Sequence, residues 1–512
     1  MKRIAALALC AVLTAGLFSG CSTQDDPYVP TGDGLYDDSA TEPTEAEVTL
    51  TQLSMPYYPD RQLNPYQCTD YNNRPVLSLI YQGLFAVDRE YQSWPILCDS
   101  YQVSWDMKTY TFHLAKATFS DGTAVTAQDV EASLKAAKKG SAYKGRFGYV
   151  DSIRATEEGT LEIELETPME NLPVLLDVPI VKAAEVEAEA PLGTGPYVLS
   201  RGEEAALQRR SDWWCNGGVP VTASRIRLVE GGTAAELRDA FEFSNLSMVP
   251  ADPGSDQYAD FHSDYELWES ENGIFLYLGF NTKSKVLSEK EIRQGILYAV
   301  DRDAIISDCY RGFATAAVLP ASPNSPCYSQ SLAAQYRYDP MVLTQAVDQN
   351  LELVSGKTLI LLVNSDDAVR VRAANSIARE LNKCGLHVTV TGQPTKEYKK
   401  SLEDGKFDLY LGQTRLSANM DLTAFFSADG NLNCGGLDDP VLYALCMDAL
   451  ANIGNYYNLH QRVLEKGLLC PILFRSYAVY TQRGSFRGLI PSRDNPFFYH
   501  LGKTVQEALI QE

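Results

Sequence analysis

Long apolar segments, clustered histidines and closely spaced cysteines are all missing from this sequence. Beyond Leu17, no apolar run reaches the roughly 18 residues that a membrane-spanning helix requires. The five histidines are scattered, and no C-x-x-C pair occurs. Metal sites built from neighbouring His and Cys ligands are therefore not expected, and no cofactor is predicted.

Positive charge is also scarce. The chain has 44 Lys and Arg residues against 66 Asp and Glu residues, which gives a formal net charge of −22. Such an acidic surface repels nucleic-acid phosphates and anionic membrane surfaces. A nucleic-acid partner is therefore not expected.

Short catalytic motifs are absent as well. The sequence contains no G-x-S-x-G, no H-E-x-x-H, no Walker A loop and no G-x-G-x-x-G after a predicted strand. His113 lies within a predicted strand, where a structural role is expected. A Ser or Cys hydrolase whose histidine is brought close only by the fold stays open, but no catalytic residue is predicted and the chain is not expected to be an enzyme.

The N-terminus carries the features of an export signal. Lys2 and Arg3 precede the apolar stretch Ile4–Leu17, which is too short to span a bilayer. The following Leu17-Phe18-Ser19-Gly20-Cys21 resembles the lipobox of bacterial lipoproteins, although Phe18 stands where that motif usually has Leu. The resemblance implies that residues 1–20 are removed and that Cys21 is lipidated. The protein is then expected on the extracytoplasmic side of the cell membrane.

Residues 22–47 are rich in Asp, Glu, Pro, Thr and Gly and poor in large apolar side chains. This composition predicts a flexible, acidic tether between the lipid and the folded part. An ordinary secretory signal with an incidental cysteine is the alternative.

Nine cysteines remain after Cys10 and Cys21 are set aside. They are Cys68, Cys98, Cys215, Cys309, Cys327, Cys384, Cys434, Cys446 and Cys470. Most are expected to be small buried apolar groups, while one or two disulfides are compatible with an oxidising compartment. Because nine is an odd number, at least one thiol stays free if the protein is a monomer. A monomer is the expected oligomeric state.

Length and periodicity predict the architecture. A chain of 512 residues with 45% hydrophobic content is larger than one compact core needs, so two or three lobes are expected. Alternating or apolar runs predict strands near residues 48–53, 110–114, 161–166, 274–280, 358–363, 386–390 and 407–411. Amphipathic segments predict helices at 76–84, 127–139, 288–300 and 369–381. Alternation of the two types in the second half is typical of an α/β lobe.

Three helix starts can be assigned from capping residues. Thr126 with Asp129 predicts a cap for the helix that ends at Gly140. Ser288 with Glu291 predicts a capping box. Asp301 is expected to cap a second short helix.

Several motifs follow one another in a fixed order between residues 63 and 302. They are Leu63-Asn64-Pro65, Tyr110-Thr111-Phe112-His113-Leu114 followed by Phe119-Ser120-Asp121-Gly122-Thr123 and Thr126-Ala127-Gln128-Asp129-Val130, Leu192-Gly193-Thr194-Gly195-Pro196-Tyr197, Ser211-Asp212-Trp213-Trp214 with Gly217-Gly218, and Asn281-Thr282 with Glu291-Ile292-Arg293-Gln294 and Ala299-Val300-Asp301-Arg302. Together they resemble the family-5 extracellular solute-binding proteins, the oligopeptide, dipeptide and nickel-chelate receptors of ABC importers.

The resemblance implies a two-lobed α/β fold of the type II periplasmic-binding-protein kind, with a hinge between the lobes and an extra third domain. Lobe I would comprise residues 48–66, 192–272 and 476–512, the extra domain 67–191, and lobe II 273–475. A solute, expected to be a peptide, would be enclosed between the lobes and delivered to a permease and ATPase complex.

Candidate ligand-binding residues come from one segment of lobe II. In the family an "A-D-Y-x-D-P" pattern lines the cleft there, and in its peptide receptors an aspartate pairs with the peptide's α-ammonium. This sequence has Asn419 at that position, so Asp421 is expected to replace it, or else to cap the helix that follows. Arg415 is a candidate partner for a carboxylate, and Gln413 lies on the same segment.

Tyrosines offer flat apolar area with a polar tip, which suits a peptide cleft. Tyr66, near the first lobe's opening strand, and Tyr277, on the strand entering lobe II, are therefore candidates. The chain has 29 tyrosines, so a place in the core is the alternative. The functional alternatives are a nickel-chelate, haem or sugar receptor on the same fold, or a lipoprotein with a sensory or adhesive role.

Overall fold

Strands and helices follow the apolar patterns of the sequence. The computed structural model describes residues 52–69, 72–215, 221–435, 439–486, 488–493, 495–501 and 507–510. These residues belong to one compact unit, Thr49–Glu512. None of the helices in these ranges has the length and hydropathy that a membrane crossing requires. The predicted signal segment, lipidated Cys21 and acidic tether lie outside the described residues.

The strands have the following bounds: β1 Gln52–Tyr57, β2 Phe85–Val87, β3 Ser93–Pro95, β4 Cys98–Ser104, β5 Thr109–Leu114, β6 Val150–Ala155, β7 Leu161–Leu165, β8 Tyr197–Arg201, β9 Ala205–Arg209, β10 Arg225–Glu230, β11 Met248–Ala251, β12 Glu266–Phe280, β13 Ala314–Ala316, β14 Leu359–Asn364, β15 Val388–Gln393, β16 Leu409–Arg415, β17 Leu469–Thr481 and β18 Glu507–Ile510.

The α-helices have the following bounds: α1 Arg74–Ile80, α2 Ala127–Lys139, α3 Ala234–Glu242, α4 Lys290–Ala299, α5 Arg302–Tyr310, α6 Gln330–Ala333, α7 Pro340–Gln349, α8 Leu351–Val354, α9 Ala368–Lys383, α10 Thr395–Glu403, α11 Thr423–Phe426, α12 Pro440–Ala451 and α13 Tyr456–Lys466.

These strands form sheets of seven, five, four and two strands. The largest has the order β11-β17-β12-β16-β14-β15, with β13 paired to β17. The four-stranded sheet has the order β1-β10-β9-β8, and β2 pairs with β3 alone. Helix α9 packs against β14 and β15, which pair in parallel, so this part has the α/β layering that the sequence predicts.

Two long antiparallel strands, β12 and β17, connect the two ends of the largest sheet. The first half of β12 pairs with the second half of β17, next to β11. The second half of β12 pairs with the first half of β17 and with β16. The register shifts between Glu271 and Phe275, where Gly273 has a φ of +72°. A second shift follows between Leu276 and Tyr277, so the ladder of the crossing strands is irregular near its middle.

The five-stranded sheet has the order β18-β4-β5-β7-β6. Strands β4 to β7 all lie within the residues that the sequence analysis assigns to the extra domain. Strand β18, which it assigns to lobe I, pairs in parallel with β4 of this sheet. The domain bounds themselves stay a prediction.

Helix α2 agrees with the sequence prediction at both ends. The Thr126 side chain accepts a hydrogen bond from the backbone N–H of Asp129, and the Asp129 side chain accepts one from the Thr126 backbone N–H. The helix ends at Lys139, and Gly140 is its C-cap. Asp301 likewise caps α5, because its side chain accepts from the N–H of Ala304.

The capping box expected at Ser288 is wrong. Helix α4 begins one residue later, with Glu289 as its N-cap and no side-chain hydrogen bond at the cap. The Ser288 hydroxyl instead donates to the carbonyl of Lys285, 2.9 Å away. A local turn thus competes successfully for the serine side chain.

All nine remaining cysteines lie among the described residues, and seven of them are buried. Most of them are therefore small buried apolar groups, which is the first of the two possibilities that the sequence leaves open.

Candidate functional site

A cavity lies where three parts of the chain meet. One wall comes from residues between Pro65 and Pro179, and the other comes from Arg415 at the end of β16 and from the segment Ser492–Tyr499. The empty space is about 1040 Å³, including solvent at its open side. The cavity is therefore a concave site that is open to solvent on one side, and small-molecule sites in proteins are typically concave.

Most of the cavity wall is apolar or aromatic. The residues of this kind are Pro65, Leu77, Tyr81, Phe85, Ala86, Val87, Ile96, Ala142, Tyr143, Pro179, Phe498 and Tyr499. Such a wall gains free energy by removing the apolar surface of a ligand from water. The polar groups set among these residues determine the orientation and chemical class of a ligand.

Helix α1 is fixed in place at both ends. At its start, the Asn73 side chain donates to the carbonyl of Tyr58 and accepts from the Tyr58 N–H, at 3.0 and 2.9 Å. At its end, the N–H of Gly195 donates to the carbonyl of Ile80 at 2.8 Å. Because α1 is held by β1 and by the segment before β8, Leu77 and Ser78 keep a fixed position in the cavity wall.

A hydrogen-bonded chain of side chains joins the two walls. Gln82 donates from Nε2 to the hydroxyl of Tyr499, and its Oε1 accepts from Nε1 of Trp214 at 2.9 Å. Gln82 and Tyr499 both line the cavity. The C-terminal segment is thus tied to the residue that follows α1.

Charged residues of the cavity are mostly cations. Among the described residues the lining contains Arg74, Arg146, Arg415 and Arg493 but a single acid, Asp177. Arg146 and Asp177 form an ion pair with each other. The protein as a whole is strongly acidic, so the excess of arginine in this wall is local.

Arg493 is the most deeply buried of these cations, with 5% of its surface exposed. Its Nη2 donates to the carbonyl of Leu416 at 2.9 Å, and its guanidinium lies 5.4 Å from the centre of the Tyr91 ring. Its Nε and Nη1 have no hydrogen-bond partner among the described residues.

Glu271, at the irregularity of β12, lies in the same neighbourhood. Its Oε1 accepts from the hydroxyl of Tyr91, and its Oε2 accepts from Nδ2 of Asn324 at 3.5 Å. Burial raises the pKa of this carboxyl to about 7, although the Tyr91 hydrogen bond and the charge of Arg493 oppose the shift.

Two of the six predicted site residues lie at the end of β16. Arg415 is exposed and lines the cavity. Gln413 lies two residues earlier, partly buried, and its Oε1 accepts from Nη1 of Arg475 at 3.4 Å.

Asn419 and Asp421 lie outside the cavity lining. Asn419 is 4% exposed; its side chain accepts from the Ser417 hydroxyl at 2.6 Å, and its carbonyl accepts from the Tyr456 hydroxyl. Asp421 accepts from the N–H of Thr423 at 2.8 Å at the start of α11, and burial raises its pKa. Asp421 thus accepts a hydrogen bond from the first residue of α11, as a helix-capping side chain does. The N-cap position itself is occupied by Leu422.

Tyr66 and Tyr277 are core residues, with 1% and 2% of their surfaces exposed. The Tyr66 hydroxyl donates to the carbonyl of Pro179 at 2.9 Å. The Tyr277 ring packs edge-on against Tyr410 and Phe425. Arg415 thus lines the cavity, whereas these two tyrosines lie in the core. Ligand contact stays a prediction for all six residues.

The sequence analysis did not identify Gln82, Arg493 or Tyr499 as site residues. Each lies in a segment without a polar motif, and their proximity depends on contacts across 417 positions of the chain between Gln82 and Tyr499. Of these three residues, only Arg493 has a sequence feature that could have pointed to the site. It is the one cation in the apolar and turn-rich segment 489–499.

The sequence is similar to that of known proteins over most of its length. The sequence profile of the bacterial extracellular solute-binding proteins, family 5 (middle), matches residues 94–432. The glutathione-binding protein GsiB of Pectobacterium atrosepticum is 26% identical over 358 residues, covering 67% of this chain and 69% of the relative. GsiB of Escherichia coli K12 is 25% identical over 385 residues, covering 72% and 73%.

Solved structures establish the fold. The ABC transporter substrate binding protein CtaP of Listeria monocytogenes superposes with a TM-score of 0.71 at 17% identity, covering 87% of this chain and 97% of that one. NikA of Brucella suis, in complex with Fe(III)-EDTA, has a TM-score of 0.69 at 19% identity, with 86% and 98% covered.

The predicted two-lobed, type II periplasmic-binding-protein fold with a third domain and a hinge is therefore confirmed. These relatives bind solutes. The chain belongs to the bacterial extracellular solute-binding proteins of family 5, the substrate-binding components of ABC transporters.

Proposed function

We propose that this protein captures a peptide or a similar small solute in the cavity beside Arg415 and Arg493 and delivers it to the permease of an ABC importer. The cavity is the observation that carries the proposal. It combines an aromatic and apolar wall with a few fixed polar groups, and its walls come from segments that are far apart in the sequence. The curated relatives named above are glutathione-binding proteins, and glutathione is itself a small peptide.

Enclosure between two lobes suits a solute that must be held and then released. When the lobes close, water leaves the cavity and the arginine side chains interact more strongly with an opposite charge. When they open, both the apolar contacts and the charge pairing are lost together. A binding protein of this kind therefore couples affinity to conformation.

A thermal-shift screen tests the ligand class. The purified protein is heated alone and with di- and tripeptides, glutathione, nickel chelates, haem and sugars. A solute present at about a hundred times its dissociation constant adds about 2.7 kcal/mol to the free energy of unfolding. A rise in Tm with peptides supports the proposal, whereas a rise with one of the other classes alone contradicts the peptide assignment.

We also propose that Cys21 carries the lipid that holds the protein on the extracytoplasmic side of the membrane. The support is the apolar segment and small residues that precede this cysteine. Two or more acyl chains give stable anchoring, which a single chain does not. Cells fed a labelled fatty acid should incorporate it into the protein and not into Cys21→Ser. Equal labelling of both would contradict this assignment.

A further inference from the structure

Arg493 is a buried cation of the cavity wall, and only some of its hydrogen-bond donors have partners among the described residues. Its side chain is 5% exposed, and Nε and Nη1 lack hydrogen-bond partners among the described residues. A buried cation with unpaired N–H groups is costly, because it has lost hydration without gaining partners. Arg493 also lines the cavity, so the space beside it is the space that a solute would fill.

The guanidinium is held in place rather than free to move towards solvent. Nη2 donates to the carbonyl of Leu416, the residue after Arg415, and the group lies over the Tyr91 ring. Gly273 also lies close to the guanidinium, because a Cβ added to this glycine would lie 2.9 Å from Nη2. A fixed guanidinium loses little conformational entropy when it binds an anion.

Glu271 is an acidic group on which the charge of Arg493 acts, and its oxygens already accept other hydrogen bonds. Tyr91 donates to Oε1 and Asn324 donates to Oε2, and no ion pair joins Glu271 to Arg493 in the described part of the chain. Burial also favours the neutral carboxyl, with a pKa of about 7. Among the residues that the structure describes, the positive charge of Arg493 is therefore incompletely compensated.

We propose that Arg493 binds a carboxylate of the solute, at the point of the cavity where the end of β16 meets the C-terminal segment. This inference rests on the proposed function and narrows it to solutes that carry an acidic group. Arg493 already holds the end of β16 at this point, through its hydrogen bond to the carbonyl of Leu416. A carboxylate bound there would contact the wall that Arg415 and the segment Ser492–Tyr499 form.

The test compares matched peptides on the wild-type protein first. One library contains tripeptides of uncharged residues with a free C-terminal carboxylate, and a second contains the same tripeptides as C-terminal amides. A third consists of amidated tripeptides that include one Asp or Glu. A charge-assisted hydrogen bond in a closed site corresponds to roughly 10- to 100-fold in affinity. We expect calorimetry to show that preference for the free acids over the uncharged amides, with binding partly restored by an Asp or Glu side chain.

Two variants assign the effect to Arg493. Arg493→Met keeps most of the side-chain volume without the charge and should bind acids and amides with similar affinity. Arg493→Lys keeps the charge and should retain a reduced preference for the free acids. This variant also provides the test if Arg493→Met folds poorly. Arg483→Met removes a surface arginine paired with Asp264, outside the cavity lining, and should behave as wild type.

The outcomes separate the two proposals. Equal binding of acids and amides by the wild-type protein overturns the role of Arg493 and leaves peptide capture intact. Retention of the full preference by Arg493→Met also overturns it. Failure of all three libraries to bind contradicts the proposed function itself.

Discussion

His460, on α13, shows what burial does to a single side chain. It is 0% exposed, and both ring nitrogens lack hydrogen-bond partners among the described residues. Desolvation lowers the pKa of the imidazole to about 3, since the charged form cannot be hydrated. Although its burial makes it conspicuous, His460 fits a neutral core group better than a ligand-binding one.

This burial predicts acid sensitivity. The folded-state pKa is below the unfolded value, so the contribution to stability is complete above pH 6.5 and is lost as pH falls towards 3. Between pH 7.5 and 4.5 the loss should be of the order of 2 kcal/mol. Urea unfolding at both pH values should show a smaller decrease for His460→Leu. The exposed His387, changed to Leu, is the control; an equal decrease in wild type and His460→Leu would contradict the prediction.

Glu271 should have the opposite pH dependence. Its folded-state pKa, about 7, lies above the ordinary 4.5, so the folded protein binds this proton more tightly. Its contribution is complete below pH 4.5 and is lost as pH rises through 7, by about 3 kcal/mol at most. Glu271→Gln cannot ionise and should therefore unfold at higher urea concentration than wild type at pH 8.

The comparison at pH 5 and pH 8 distinguishes titration from a general packing change. Glu271→Gln should gain relative stability only at pH 8, because at pH 5 the wild-type carboxyl is already largely neutral. Glu269→Gln, which alters an exposed acid on the same strand, should match wild type at both pH values. A shift of Glu271→Gln that is the same at both would exclude the titration.

At the scale of elements, glycines before β8 allow α1 to approach closely. Neither Gly193 nor Gly195 has a positive φ. An added Cβ would instead lie 2.2 Å from the Ile80 carbonyl oxygen at Gly193 and 2.4 Å from that of Leu79 at Gly195. The sequence motif thus encodes a close backbone contact that positions α1 in the cavity wall.

Gly195→Ala should therefore destabilise the protein by about 2 kcal/mol or more, because backbone atoms must move to relieve the contact. The same change at Gly202, where nothing lies within 4 Å of the added Cβ, is a matched control and should have little effect. Thermal unfolding measures both variants. Equal Tm values for the two would show that α1 moves without cost.

Helices α2 and α4 show when local signals suffice. The α2 caps were predicted correctly because Thr126, Asp129 and Gly140 act within a few residues of one another. At α4 the same kind of motif failed, since a bond from Ser288 to Lys285 satisfies the serine instead. The Ser288 side chain could bond either to a backbone N–H at the start of α4 or to the Lys285 carbonyl. The sequence alone does not show which of these hydrogen bonds is more stable.

At the scale of the whole molecule, β12 and β17 form the connection about which we expect the lobes to move. Each strand has partners at both ends, and the ladder is irregular beside Gly273. A bulge with a glycine in the left-handed region allows bending with little strain. We expect the lobes to approach one another when the cavity is filled.

Small-angle scattering tests this expectation. With a saturating peptide from the screen, the radius of gyration should fall relative to the free protein, because the closed form is more compact. A peptide that does not raise Tm is the control and should leave the curve unchanged. Superimposable curves with a tight ligand would contradict closure on binding.

The sequence by itself determined the family, through motifs that resemble those of its members, and it predicted several of the helices and strands. The helices and strands follow from periodicity, caps and turns, which act over short distances along the chain. Only the tertiary structure decided which residues form the cavity. Arg415 lines it, whereas Tyr66 and Tyr277 lie in the core. Arg493 entered the site because strand pairing and packing bring distant segments together, and local patterns carry no record of such contacts.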